Sequence, residues 1–181
     1  MRCRFCGHTL EKVFIDLVNA PPSNSYLAKE HLNEPEIYYP LKVFFCEYCW
    51  LVQIDEYKKS GEIFDENYAY FSSYSKSWVK HAEDYVEMIC KRLSLNNSSR
   101  VMEIASNDGY LLQFFVKKGI PCFGVEPSAG TAKAAEEKGV ESIVDFFGSE
   151  LAVRIAKERG KLDLVIGNNV LAHVPAINDF V

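Results

Sequence analysis

Two Cys-x-x-Cys pairs, Cys3 with Cys6 and Cys46 with Cys49, constrain this chain more than any other feature. The spacing lets two thiolates of one tight turn face the same ion, and two such knuckles complete a tetrahedral S4 site for Zn2+. A thioredoxin-like redox pair would sit between a strand and a helix of a βαβ unit. Neither pair does. The first opens the chain, and the second lies between the strand-like Leu41-Lys-Val-Phe-Phe and Trp50-Leu-Val-Gln-Ile, at a hairpin corner. The expected metal ligands are Cys3, Cys6, Cys46 and Cys49, with His8 either a neighbour or a substitute ligand. Cys90 and Cys122 stand alone in apolar surroundings and read as small core residues.

Between the knuckles lie 39 residues. Ala20-Pro-Pro-Ser-Asn-Ser reads as an extended turn, Leu27 to Leu32 as a helical turn or two, and Glu34-Pro-Glu-Ile-Tyr-Tyr-Pro as the approach to the hairpin. Zinc therefore closes a long loop, and for so small a module the metal supplies stability that a thin core cannot. The module is expected over residues 1–60. The aromatic stretch from Ile63 to Ser75 and an amphipathic helix then form a connector over 61–99. Trp78, Ala82, Tyr85, Val86, Ile89 and Leu93 line one face of that helix, a serine between Ser72 and Ser77 caps it, and Asn96-Asn-Ser-Ser ends it.

From Arg100 onward, short apolar runs alternate with helical segments. Val101-Met-Glu-Ile-Ala, Pro121 to Glu126, Glu141 to Asp145 and Leu162 to Gly167 read as strands; Tyr110 to Lys118, Thr131 to Lys138 and Glu150 to Arg159 read as helices. Gly119, Gly139 and Gly160 each sit where a left-handed C-terminal cap is wanted. Strand and helix alternate three times, which means a parallel sheet with right-handed crossovers. The fold class is α/β: an N-terminal zinc-binding module with short β-hairpins, a helical connector, then a partial Rossmann-like parallel sheet over 100–181.

In such sheets a ligand binds beyond the carboxyl ends of the strands. Those ends read Glu103-Ile-Ala-Ser-Asn-Asp-Gly109, Val125-Glu126-Pro-Ser and Asn168-Asn169. A dinucleotide would call for Gly-x-Gly-x-x-Gly at the first end so that backbone can approach a pyrophosphate, and of those glycines the loop has only Gly109. A nicotinamide-dependent enzyme is disfavoured. S-adenosylmethionine fits better: it has a ribose for Glu126 to grip and a cationic methionine end for Glu103, Asn107 and Asp108 to anchor, and no phosphate.

These segments together resemble a known family. The four-cysteine module, Tyr68-Ala-Tyr70-Phe-Ser-Ser-Tyr-Ser-Lys-Ser-Trp78, Glu103 to Gly109, Gly124-Val-Glu-Pro-Ser128 and Asn168-Asn-Val-Leu-Ala-His173-Val-Pro look like the sugar C-methyltransferases. These act on nucleotide-linked 4-keto-deoxysugars and carry an N-terminal zinc-binding domain. Methyltransferases generally place spaced glycines in the first loop, where this chain has Ala105 and Asn107. The resemblance implies that Glu103, Asn107, Asp108 and Gly109 surround the methionine end and that Glu126 with Pro127 meets the ribose. It implies that Asp145 and Phe146 flank adenine and that Asn168 and Asn169 close the site. Tyr70 and His173 are the implied catalytic-side groups. Each has a plainer alternative: Asp145 as a helix cap, Tyr70 as inter-unit packing, His173 as a packed strand-end residue.

The implied reaction removes an acidified C3 proton beside a 4-keto group and lets the enolate carbon attack the sulfonium methyl. In the family the base is a histidine that follows the fourth strand and its helix. The α/β part has 82 residues against about 150 for a usual doubly wound domain. The chain is therefore expected to be a C-terminally truncated enzyme, to need a companion polypeptide or to self-associate through an uncovered sheet edge. A noncatalytic zinc-binding interaction module is the alternative. Net charge −5 with scattered Lys and Arg speaks against nucleic acid, the longest apolar runs are far short of a membrane span, and the N-terminus lacks a leader's apolar core. A reducing cytoplasm and a small nucleotide-sugar substrate are the expectation.

Overall fold

The computed structural model describes residues 1–181 as two compact units. One comprises Met1–Ile63 with Val174–Asp179 and Val181; the other comprises Phe64–His173 with Phe180. No helix is long and apolar enough to cross a membrane.

The first unit holds a three-stranded antiparallel sheet of β1 (Lys12–Ala20), β2 (Tyr39–Phe45) and β3 (Val52–Ile54), in the order β1-β2-β3, followed by the short helix α1 (Ser60–Ile63). The hairpin expected around Cys46 and Cys49 is β2–β3, with Val43 opposite Ile54 and Phe45 opposite Val52. The helical turn expected near Leu27 to Leu32 is a single 3-10 turn over Lys29–His31. Strand β1 is an addition to the sequence reading. Its register against β2 shifts twice, between Val13 and Ile15 and between Asp16 and Asn19. At the second shift Val18 takes a left-handed φ of 69°, with its N–H on the Asp16 carboxylate, which also pairs with Lys42 across the strands at 2.9 Å. Eight of its nine residues are exposed, so backbone pairing rather than burial defines it. The buried apolar cluster of this unit is small: Cys3, Leu10 and Cys46, with Cys6, Phe44, Cys49 and Leu51 against them.

The second unit begins with an aromatic stretch and α2 (Lys76–Leu93), then runs β4 (Val101–Ile104), α3 (Leu112–Lys117), β5 (Cys122–Val125), α4 (Ala129–Glu136), β6 (Glu141–Ile143), α5 (Ser149–Arg159) and β7 (Leu164–Ile166). A last short helix, α6 (Ile177–Phe180), falls in the first unit except for Phe180. The four strands are parallel, in the order β6-β5-β4-β7. This is the Rossmann-like half sheet expected from the alternation. Ser75 caps α2, its hydroxyl accepting the Trp78 N–H at 3.3 Å. Gly119, Gly139 and Gly160 all take positive φ just past helices.

Strand alternation divides the core into two layers. Val101, Leu164 and Ile166 meet Ala82 and Val86 of α2 and Leu112 and Phe115 of α3 on one side. Met102, Ile104, Phe123 and Val125 meet Leu151 and Ile155 of α5 on the other. The apolar face read for α2 is the one that packs, except for Leu93, which is exposed in the last turn. Gly124 lies where β5 passes the first loop: a Cβ there would come within 2.0 Å of the Ser106 hydroxyl and 2.6 Å of its Cβ. Gly124→Ala is expected to lower the stability of this unit by about 1–3 kcal/mol through overpacking, read as a lower midpoint in urea unfolding.

Candidate functional site

The four knuckle cysteines converge, their sulfurs all within 4.8 Å of one another. Cys3 Sγ lies 3.5 Å from Cys49 Sγ, and Cys6 Sγ 3.6 Å from Cys46 Sγ. A regular ZnS4 tetrahedron with bonds of about 2.3 Å has edges of about 3.8 Å, so the donor set and spacing fit Zn2+. The two knuckles are built alike. Gly7 and Trp50 donate their N–H groups to the Cys3 and Cys46 carbonyls at 2.9 and 2.8 Å, while Cys3 and Cys46 donate theirs to His8 and Leu51 carbonyls. Both turns close through a left-handed residue, Gly7 at φ 77° and Trp50 at φ 65°.

Against the desolvation of burial, N–H groups of Cys6 and Phe5 and the Gln53 amide lower the Cys3 thiol to about 6. Cys49, despite a hydrogen bond from Leu51, is pushed up to about 12 by burial and the other sulfurs. The sulfurs thus oppose one another's ionisation, and a cation among them is what lets all four become thiolates. Gln53, absent from the sequence reading, is the support: its Nε2 donates to Cys3 Sγ at 3.2 Å and its Oε1 accepts the Arg4 N–H at 3.0 Å. The available signal is a polar residue at the single buried position of β3. His8 stacks on Tyr48, with ring centroids 4.0 Å apart, and is not among the converging donors.

At the carboxyl ends of β4 and β5 a second cluster forms. In the loop after β4, Ala105, Asn107 and Gly109 take φ of 55°, 51° and 71°. These are the alternate positions where spaced glycines were expected, and the reason is conformational: each must be left-handed. Glu126, 4% exposed, ties this loop to the next strand end, accepting the Asn107 N–H on Oε2 at 2.9 Å and the Ser128 N–H on Oε1 at 3.0 Å. Pro127 lies between these contacts in the chain. Asp108 is buried and pairs with Lys138 at 3.1 Å.

Glu103 is fully buried, with no basic group paired to it and neither carboxyl oxygen in a hydrogen bond of good geometry, the Tyr110 hydroxyl being the polar group beside it. Burial pushes its pKa well above the carboxylate range; the Tyr110 hydroxyl opposes this, and Glu126 and Asp108 add to it. Glu126 is also shifted upward by burial, against its two backbone hydrogen bonds. Three buried carboxyls thus gather around the ends of β4 and β5, with a single lysine paired to one of them. Such a cradle suits a ligand bearing positive charge and fits the sulfonium and ammonium of S-adenosylmethionine.

The other expected site residues are distributed differently. Asn107 spends both ends of its side chain on the preceding aromatic segment, accepting the Ser72 N–H at 2.8 Å and donating to the Tyr70 carbonyl at 3.0 Å. Tyr70 is thereby brought to the loop through its backbone, with its side chain half exposed. Asp145 does not cap α5, whose N-cap is Gly148; it pairs with Arg154 at 2.8 Å and accepts the Phe146 N–H. Phe146 is exposed beside it. Asn168 is half buried after β7, and Asn169 is exposed with φ 53°. His173 ends an exposed 3-10 turn over Leu171–His173.

Residues 78–181 match the family described as "Methyltransferase domain". The chain belongs to that methyltransferase family. Residues 3–64 match the family described as "Putative zinc binding domain", in agreement with the converging cysteines. C-methyltransferase NovU of Streptomyces niveus is 30% identical over 177 residues, covering 98% of this chain and 42% of the relative's length. The chain thus spans less than half the length of this curated relative. The family's methyl donor is S-adenosylmethionine, and the four cysteines of the first unit are a donor set for zinc.

Two outcomes follow. Elemental analysis should find about one zinc per chain; Cys46→Ser should release it and open residues 1–63 to proteolysis while the second unit stays folded. Because the Glu103 pKa is raised in the folded state, the unfolded chain releases this proton first, near the ordinary value of 4.5. Stability without cofactor should therefore fall as pH rises above that value, and Glu103→Gln should flatten the decline, measured as urea midpoints at pH 5 and 7.

Proposed function

We propose that this chain is the zinc module and cofactor-binding part of a C-methyltransferase that acts at C3 of a nucleotide-linked 4-keto-deoxysugar. The observation that carries the reading is the fully buried Glu103 carboxyl, with no basic group to neutralise it, beside Glu126 and Asp108 at the carboxyl ends of parallel strands. The name of the relative, a C-methyltransferase, supports transfer to carbon. The sugar acceptor and the C3 position rest on the family resemblance of the sequence motifs.

In this reading Glu126 meets the ribose hydroxyls with the lone pairs its two backbone N–H bonds leave free. Glu103 takes up the methionine ammonium, and the upward shift of its pKa makes the cation the condition for its ionisation. Gly109 and the backbone of Asn107 and Asp108 shape the wall of the cradle, Pro127 follows Glu126 along its rim, Phe146 with Asp145 borders the adenine, and Asn168 with Asn169 closes the side toward β7. When bound, S-adenosylmethionine supplies an electrophilic methyl on sulfur. Tyr70 and His173 are the groups assigned to the acceptor side, where C3 deprotonation generates a carbanion stabilised as an enolate.

Isothermal titration with S-adenosylhomocysteine should show saturable binding, and NAD should give none. Glu126→Ala should weaken binding by at least about tenfold, in line with the 1.5–3 kcal/mol of hydrogen bonds to a charged group. No heat with the wild-type chain would overturn the reading in favour of a noncatalytic zinc-binding module.

A further inference from the structure

Asn107 is the residue whose side chain the cofactor cradle does not use. Its backbone is left-handed, a conformation that glycine adopts at least cost and that asparagine tolerates. Glycine would serve the loop, so the amide side chain needs a reason of its own. That reason is the strap of residues 66–74. Asn107 Oδ1 takes the Ser72 N–H and Nδ2 reaches the Tyr70 carbonyl, a pair of bonds to backbone groups 35 and 37 residues away in sequence. The same residue's own N–H lies on Glu126.

Two further contacts hold the strap against the strand ends. Ser73 donates its N–H to Asp108 Oδ2 at 3.3 Å, an oxygen that also pairs with Lys138. At the start of α4, Gly130 leaves room for the Glu66 carbonyl, which a Cβ would approach to 2.5 Å. The strap carries Tyr68, Tyr70 and Tyr74, the latter two well exposed, and the rings of Tyr68 and Tyr70 lie 6.5 Å apart. A short chain of bonds therefore runs from Glu126 through Asn107 to the backbone that carries Tyr70.

We propose that Asn107 is a positioning residue that couples the Tyr70 strap to the cofactor loop, so that occupancy of the cradle at Glu126 and order of residues 70–73 rise together. The coupling rests on the cofactor assignment above, whereas the clamp itself does not. A hydrogen bond of this kind, worth a few-fold in local opening, gives about tenfold for the pair.

The test is amide hydrogen exchange on the whole chain with and without S-adenosylhomocysteine, for wild type, Asn107→Gly and Asn107→Asp. In the wild type the ligand should slow exchange at Ser72 and Ser73. Asn107→Gly, which suits the left-handed backbone, should speed Ser72 exchange about tenfold and abolish the ligand's effect there, with β4 and β5 still protected. Asn107→Asp keeps an acceptor for Ser72 but sets a carboxylate oxygen against the Tyr70 carbonyl, so its exchange should fall between the two. Equal Ser72 exchange in wild type and Asn107→Asp, and in Asn107→Gly where its β4 and β5 remain protected, overturns the clamp. An unaltered ligand effect in a variant whose Ser72 is loosened overturns the coupling. A wild-type chain that binds no S-adenosylhomocysteine overturns the proposed function instead, and exchange at Ser72 without ligand still decides the clamp.

Discussion

The second unit depends on a carboxylate tie. Glu126 is buried, and its two oxygens accept backbone N–H groups from the β4 loop and from the turn into α4. A buried carboxylate is costly unless its lone pairs are used, and here they fix the ends of two neighbouring parallel strands relative to each other. The loop so held passes through three left-handed residues in five, and its N–H groups go to separate acceptors: Ser106 to the Val125 carbonyl, Asn107 to Glu126 and Gly109 to the Ser106 carbonyl. Ser106 is then pressed against β5 so closely that only glycine fits at position 124. Cradle and sheet are therefore one construction, and a change in either is felt in the other.

The first unit is organised by different physics. Its buried cluster consists largely of the metal-binding cysteines themselves, while Phe14, Leu17 and Val18 of β1 stay exposed. A core of that size cannot offset the entropy of ordering about sixty residues, so the ion supplies what burial does not. Gln53 shows how the support works. One amide holds a thiolate sulfur with its nitrogen and a backbone N–H of the facing knuckle with its oxygen, which orients the ligand and joins β3 to the chain's first turn.

Much of the second unit was legible because its signals are periodic and local. Helix α2 shows a 3.6-residue apolar stripe, glycines stand at helix ends, and short runs that become strands of three or four residues alternate with helical segments. Strand β1 was not legible. Val13, Phe14 and Ile15 are consecutive apolar residues rather than alternating ones, and two register shifts break the period of two on which strand recognition rests. Asp145 was misjudged as a possible cap because its real partner, Arg154, lies nine residues along in space reached only once α5 is formed. Gln53 and the Ser72 and Ser73 amides escaped notice for a related reason: a residue's partner some 35 or 50 positions away leaves no local trace.

The sequence by itself determined the chemistry available: four cysteines at knuckle spacing, acidic residues at the ends of strands, and a first loop without the Gly-x-Gly-x-x-Gly that a pyrophosphate calls for. Those are properties of residue type and spacing, and they survive any detail of packing. Only the tertiary structure decided which groups remain free for a ligand. Glu103 near the end of β4 and Asn107 and Asp108 in the loop after it look alike as polar residues of one segment, yet folding gives Asn107 to the Tyr70 strap and Asp108 to Lys138. Of these three, Glu103 is the one left buried with neither side-chain oxygen well bonded. Hydrogen bonds are satisfied in three dimensions, by groups that the chain brings together from far apart, and what remains unsatisfied is visible only when all the others have been made.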